Sequence, residues 1–385
     1  MYAVLSQRLA LDANTPQYLF HCASPFDSMQ VMHEQIANHM RVCVAIGDGI
    51  ESVRAIAPSE PILSEAASRI MASNDFSLSS ALSTVLKGYC INQGDRGELL
   101  AASFFAWARD KVVKRKGDSD GMLCPIFSVA DLFGDLLSET TYQSILDHKP
   151  SLCDPKSMPL LFRDAFGRTK MHFNHVLKPQ EQKIITRSYL LQTMARGAAA
   201  LGANCQPGFD AVYPYLYGSS NLETQNLGFI IVQVKNNRNS SRSINEIFQK
   251  MDPFYCGLIN DSDKVDGRFP IPIIRLVFLL AEDEPDFTQW TYKSPSQGAK
   301  PLEDEDGKPV KGWKPLFTSY DYVCRGVSPM FLRPTHDSHD AWKALVNAWD
   351  GWGSFYDVVA PGVLRSQLPA HGGHTEHFSS WSGYK

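Results

Sequence analysis

The run Gly228-Phe229-Ile230-Ile231-Val232-Gln233-Val234-Lys235 constrains this chain more than any other stretch. It has the length of a strand, is dense in β-branched residues, and lacks the polar alternation of a strand with one wet face. It therefore predicts a strand covered on both sides. Upstream, Gly208-Phe209-Asp210 leads into Ala211-Val212-Tyr213-Pro214-Tyr215-Leu216-Tyr217, a second strand set off by glycine. The polar stretch from Gly218 to Gly228 predicts a loose hairpin connection between them. Antiparallel pairing would lay the start of the first strand beside the end of the second, so that Asp210 meets Gln233 and Lys235. Those two share a face because strand side chains alternate, while Val234 points the other way. An acid, an amide oxygen and an ammonium converging at one end of a sheet make a set able to hold a hard divalent cation and a water.

The remaining elements predict an α/β chain of the α+β kind, a mixed sheet flanked by helices with a helical N-terminal region. Pro272 to Ala281 predicts a third buried strand, and Tyr320 to Val327 a last one. Helical periodicity appears over Ser28–Val44, Pro61–Met71, Ser79–Tyr89, Asp95–Lys114, Pro125–Leu137, Pro179–Ala203, Ser243–Met251 and His339–Trp349. Asp95 reads as an N-cap with Glu98 at capping-box spacing, which gives Glu98 a structural role beside any metal-binding one. Ser243 reads as the cap of its helix. The stretch from Glu282 to Lys314 reads as a long surface loop. These boundaries suggest an N-terminal segment over 1–45, possessing the look of a piece of something longer, a helical region over 46–178 that carries Glu98, a core over 179–335, and a C-terminal helix with a flexible tail over 336–385.

Charge excludes one class of mechanism. The formal net charge of −4 gives no overall attraction to nucleic acid, so any such contact must come from local basic residues. Lys111, Lys114 and Arg115 form the most basic short run, suited either to a helix C-terminus or to a phosphate backbone. Arg238 and Arg242 bring further positive charge just after Lys235. The eight cysteines occur singly with no Cys-x-x-Cys pair, which argues against a zinc ribbon or a dense disulfide framework and fits a reducing compartment. No apolar run reaches the ~20 residues of a membrane helix, and Met1-Tyr2-Ala3 does not begin a charged signal n-region. The expectation is an intracellular protein, cytoplasmic or nuclear, with no membrane partner. His172 and His175 lack neighbouring ligand types, and His371, His374, Glu376 and His377 lie in a Gly- and Ser-flanked tail expected to be flexible rather than a metal site.

At Asp210, Gln233-Val234-Lys235 and Glu98 the chain resembles the PD-(D/E)XK nuclease superfamily, the restriction-endonuclease-like fold. His39-Met40-Arg41-Val42, Pro58-Ser59-Glu60-Pro61 and Gly94-Asp95-Arg96-Gly97-Glu98-Leu99 extend the likeness to the nuclease-like region of fungal Crinkler-type proteins, over about residues 39 to 335. The resemblance implies metal-dependent phosphodiester hydrolysis, with DNA favoured over RNA as substrate and Mg²⁺ or Mn²⁺ as cofactor. Asp210, Gln233, Val234 through its carbonyl, and Glu98 would hold the metal. Asp210, Gln233, Lys235 and Glu98 would form the catalytic set, and Lys111, Lys114, Arg115, Arg238 and Arg242 would face the nucleic acid. A homodimer is compatible with it. The alternative it implies is an inactive nuclease-like module that binds nucleic acid or another protein. The chain has no Gly-x-x-x-x-Gly-Lys-Ser/Thr, so the NTPase half of such effectors is not expected here.

Overall fold

A computed structural model describes residues 42–46, 53–56, 60–73, 76–88, 93–120, 126–155, 158–179, 181–203, 208–236, 243–282, 286–293, 297–298 and 314–326, with residues 5, 8, 9, 342, 345 and 346. The chain divides into one compact unit over Met1–Val346 and a second over Asn347–Lys385, the latter outside the described residues. Among the described residues no helix is long and apolar enough to cross a membrane.

The molecule is a mixed α+β protein built on a seven-stranded mixed sheet flanked by helices. In chain order its elements are β1 (Val42–Ile46), β2 (Val53–Ile56), α1 (Glu60–Met71), α2 (Leu78–Gly88), α3 (Gln93–Asp120), α4 (Val129–Leu136), α5 (Glu139–Ile145) and α6 (Phe162–Phe166). There follow β3 (His175–Leu177), α7 (Arg187–Ala195), β4 (Ala198–Leu201), β5 (Ala211–Leu216), β6 (Leu227–Lys235), α8 (Ile244–Lys250), β7 (Ile273–Leu279), β8 (Asp286–Gln289) and β9 (Ser319–Arg325). β1 and β2 pair as a separate antiparallel hairpin. The large sheet runs β3-β4-β5-β6-β7-β9-β8. Pairing is parallel for β3–β4, β6–β7 and β7–β9 and antiparallel for β4–β5, β5–β6 and β8–β9. Thus β3, β4, β6, β7 and β9 all run the same way and end on one rim, where β5 begins.

The predicted strand pair forms as expected. β6 lies between β5 and β7 with every residue from Leu227 to Val234 buried, which explains its unbroken apolar pattern. Register puts Ile231, opposite Arg275, on one face, and by alternation Gln233 and Lys235 with it. α8 covers that face, since the Arg275 guanidinium donates to the Phe248 carbonyl at 2.8 Å and lies over the Phe248 ring. The other face carries Tyr213, Val234, Phe278 and Tyr322. α3 packs there, Phe105 stacking on Tyr213 at 4.1 Å and Phe104 meeting Phe278, and Phe133 of α4 and Phe162 of α6 close on Tyr322. Arg8 ties the N-terminal region to α3 by two hydrogen bonds to Asp110, at 2.5 and 2.9 Å, inside a buried network that includes Ser68 and Arg109.

Several local expectations change. The stretch Pro179–Ala203 is not one helix: α7 ends at Ala195, Gly197 adopts φ +71°, and Ala198–Leu201 forms β4. The left-handed glycine ends the helix, and pairing with β3 and β5 in a fully buried slot overrides the helix preference of alanine. α3 begins at Gln93 and runs to Asp120, so Asp95 lies inside the helix rather than at its cap, and the Lys111–Lys116 run lies within the helix rather than at its end. Val42–Val44, expected at the end of a helix, belongs to β1; the rest of the Ser28–Val44 prediction lies outside the described residues. β8 also falls inside the stretch expected to be loop. Ser243 caps α8 as expected, accepting from the Glu246 N–H.

Candidate active site at the strand rim

Asp210 stands one residue before β5. Its position is fixed by backbone alone: its N–H donates to the Val232 carbonyl and its carbonyl accepts from the Gly202 N–H, both at 2.8 Å. The glycine two residues earlier is required. Gly208 has φ +100°, and a Cβ there would run into the Lys250 carbonyl at the end of α8 and the Cys256 sulfur in the segment beyond it. The Gly-x-Asp entry is therefore what lets the chain pass under α8 and deliver Asp210 to the rim.

The side chains meet as the strand register requires. Asp210 lies across from Gln233, and its Oδ2 accepts from the Gln233 amide and, at 2.5 Å, from the Val234 backbone N–H. That N–H lies in the plane of the sheet, so the acceptor oxygen sits at the strand end where groups from either face can approach. The Val234 carbonyl leaves the strand on the same side as its N–H. Gln233 is buried and Lys235 half-buried.

Burial pushes the Asp210 carboxyl up to about 6. Lys235, the Val234 N–H, the Gln233 amide and Lys178 all pull it back down, so the acid is poised between desolvation and two nearby ammonium groups. Lys178 was not expected from the sequence. It follows β3 at the far edge of the pairing β3-β4-β5, a neighbour that strand length and composition do not reveal.

Glu98 is carried to the same end of the sheet on the opposite side. A Cβ on Gly97 would stand 2.9 Å from Asn236 Cβ and 3.1 Å from Val234 Cγ1, so the first turns of α3 press on the end of β6 from the Val234 face. Glu98 is partly exposed there. The basic run is not at the rim. Lys111 and Arg115 lie 13 and 17 residues beyond Glu98 along α3, about 20 to 25 Å at 1.5 Å per residue. Arg115 pairs with Asp135 at 2.8 Å and Lys116 with Asp131 at 3.0 Å, which binds this stretch to α4. Lys111 covers the Trp107 ring, and Lys114 is exposed. Arg238 and Arg242 lie outside the described residues, as does the histidine-bearing tail.

Among the described residues no three His, Cys, Asp or Glu side chains converge. The rim set differs in kind: one carboxylate, one carboxamide and a main-chain carbonyl, with Glu98 on the opposite face of the sheet. These donors fit a hard cation that keeps several waters. Gln233 presents its NH₂ to Asp210, but an amide turned by 180° presents Oε1 from the same place, which puts two oxygens side by side.

Fold and site together define a mixed α+β protein with an acid–amide pair at the carboxyl rim of its sheet, flanked by two lysines. The chain belongs to the family described as Domain of unknown function (DUF8736), whose model matches residues 23–254. No curated protein and no solved structure matches it.

Proposed function

We propose that this protein hydrolyses phosphodiester bonds of nucleic acid, DNA in preference to RNA, with a divalent cation at the rim. The observation that supports this reading is the contact of Asp210 with Gln233 beside Lys235, at the one end of the sheet where the chain presents an acid held by main-chain hydrogen bonds. Asp210, the Gln233 Oε1 and the Val234 carbonyl would hold Mg²⁺ or Mn²⁺, with Glu98 completing the set from the α3 side. The cation, when bound, supplies an acidified water and neutralises charge on the phosphate. Lys235, on the same face as Gln233, orients the attacking water and offsets charge gathering on the phosphoryl oxygens. The water oxygen bonds to phosphorus, one ester P–O bond breaks, the water's proton goes to solvent, and the departing oxygen takes one up. The rigid seat of Asp210 means that little reorganisation accompanies the step.

The test is cleavage of linear and supercoiled DNA by the full chain with Mg²⁺ or Mn²⁺, followed by Lys235→Ala. Cutting that falls by about a hundredfold or more in the variant, at unchanged circular dichroism, is the expected result. A folded wild-type protein that cuts neither DNA nor RNA under either cation would overturn the reading.

The charge at the rim favours a second reading, binding without turnover. Two lysines, Lys178 and Lys235, act on the one carboxyl of Asp210, and the amide at Gln233 withholds the second negative charge that a cation would prefer. Salt-sensitive DNA binding that survives Asp210→Ala, with no cleavage under any condition, would select it.

A further inference from the structure

The N-terminal segment enters the fold through three residues. Leu5, Arg8 and Leu9 are helical, and their i, i+3, i+4 spacing sets them on one face. All three are buried, the leucines in the main hydrophobic core and the arginine with no solvent exposure. Three elements bind the Arg8 guanidinium at once. Its Nε donates to the Asn174 carbonyl, just before β3, at 2.8 Å. Its two terminal nitrogens donate to the two oxygens of Asp110 on α3, at 2.5 and 2.9 Å, and one of them meets the Met71 sulfur of α1 at 3.4 Å. A lysine cannot supply this planar fork of donors. The seat also keeps most of its own bonds when the arginine leaves. Asp110 Oδ1 accepts from Ser68 at 2.6 Å and from Arg109 at 3.2 Å, and Arg109 donates to Glu65 at 2.8 Å. Departure of Arg8 therefore opens Oδ2 and leaves the rest of the Asp110 network in place.

We propose that this junction of α1, α3 and the entry to β3 is a binding site for an arginine-bearing helical segment, which the chain fills with its own residues 5–9 as a detachable strap. Two further observations support it. The family match, over residues 23–254, covers the seat at Ser68, Met71, Asp110 and Asn174 and none of the segment that occupies it. Arg8 and Arg109 also both reach Asp110 Oδ1, and two like charges side by side favour the exit of the one whose segment can carry it back to water. The ligand is thus defined by its chemistry: a guanidinium with a leucine-sized apolar side chain three positions before it and another directly after it, on one helical face. Filled, the seat clamps α1, α3 and the chain entering β3 together. Vacated, it presents the buried Asp110 Oδ2 to the next guanidinium that fits.

The experiment uses the full chain carrying Arg8→Ala and Leu9→Asp, which expel its own segment, and a fluorescent peptide with the sequence of residues 1–12. Anisotropy is expected to show saturable binding, and the same peptide with Arg8→Lys to bind about tenfold more weakly or worse. A folded variant that binds neither peptide, or both equally, would overturn the site. Wild-type protein gives a second readout that needs no substitution. Amide hydrogen exchange at residues 5–9 is expected to run about a hundredfold or more faster than in β6 and β7, with little dependence on low urea, because the strap opens locally. Saturating unlabelled peptide should speed that exchange further by taking the seat in its turn, and exchange left unchanged by it would also overturn the site. Exchange at residues 5–9 that matches β6 in rate and in urea dependence would show that the segment leaves only on global unfolding, and would overturn the strap.

Discussion

The Asp210 carboxyl makes the stability of this protein depend on pH in a direction opposite to that of a salt-bridged acid. Its value in the fold, about 6, lies above the ordinary 3.8 because burial outweighs the two lysines. A group raised by folding favours the native state while protonated. That contribution is complete below about pH 4 and is lost as pH climbs through about 6. Above this window the native protein carries an ionised, desolvated carboxylate at a cost on the order of 2 to 3 kcal/mol. Asp210→Asn should therefore match the wild type in urea midpoint near pH 4 and exceed it increasingly up to about pH 7. A difference that stays flat with pH would show that the acid is not desolvated. At this scale the sequence was readable where period-two alternation and an antiparallel partner sufficed, which brought Asp210 to Gln233. Lys178 was hidden because its neighbour across β4 comes from parallel pairing, whose register no turn sets.

At the scale of elements, β7 and β9 are held by a pair that the apolar pattern conceals. Arg275 sits in the middle of Ile-Ile-Arg-Leu-Val-Phe-Leu and Asp321 in Ser-Tyr-Asp-Tyr, opposite each other in register and both without solvent exposure. The guanidinium makes bonds of 2.7 Å to both Asp321 oxygens and also reaches the carbonyls of Phe248 and Gly298 and the hydroxyls of Tyr292 and Ser319. Burial opposes the charge, yet Asp321 and Tyr292 keep the guanidinium raised above its ordinary range. Asp321→Ala should lower stability by about 3 to 5 kcal/mol, because it strands a buried cation. The double variant Arg275→Met, Asp321→Leu should lose less than the sum of the single changes. Urea melts of all four proteins measure this, and simple additivity would contradict it. Gly208→Ala should be comparably harmful, since the new methyl meets backbone at Lys250 and the φ of +100° disfavours any side chain. A urea midpoint within error of wild type would argue against that close approach. The helix-to-strand switch at Gly197 was legible only in part. Glycine marked the break, but nothing local shows that an alanine run will be buried between two strands.

For the whole molecule, the family match stops at residue 254, just past α8, whereas β6 is an interior strand that needs β7. A chain cut after residue 254 would leave the Leu227–Lys235 edge unpaired and the Arg275 anchorage of α8 gone. Such a fragment should be insoluble or lack a cooperative melt, while a chain ending after residue 346 should retain one. A cooperative, monomeric 1–254 fragment would contradict this. The mixed sheet with flanking helices could be read from the sequence because long apolar runs alternate with capped amphipathic segments. The strand order could not, since it depends on crossovers that leave no local trace.

The shared direction of β3, β4, β6, β7 and β9 has a consequence for how such proteins diverge. Each chain segment that follows one of these strands departs from the border where Asp210 lies, and the one that leaves β6 returns as α8 over the Arg275 face. Length changes after residues 177 and 279 would thus alter what stands around the acid, whereas those directly after 201 or 235 would disturb its own seat, which Gly202 and the end of α8 form.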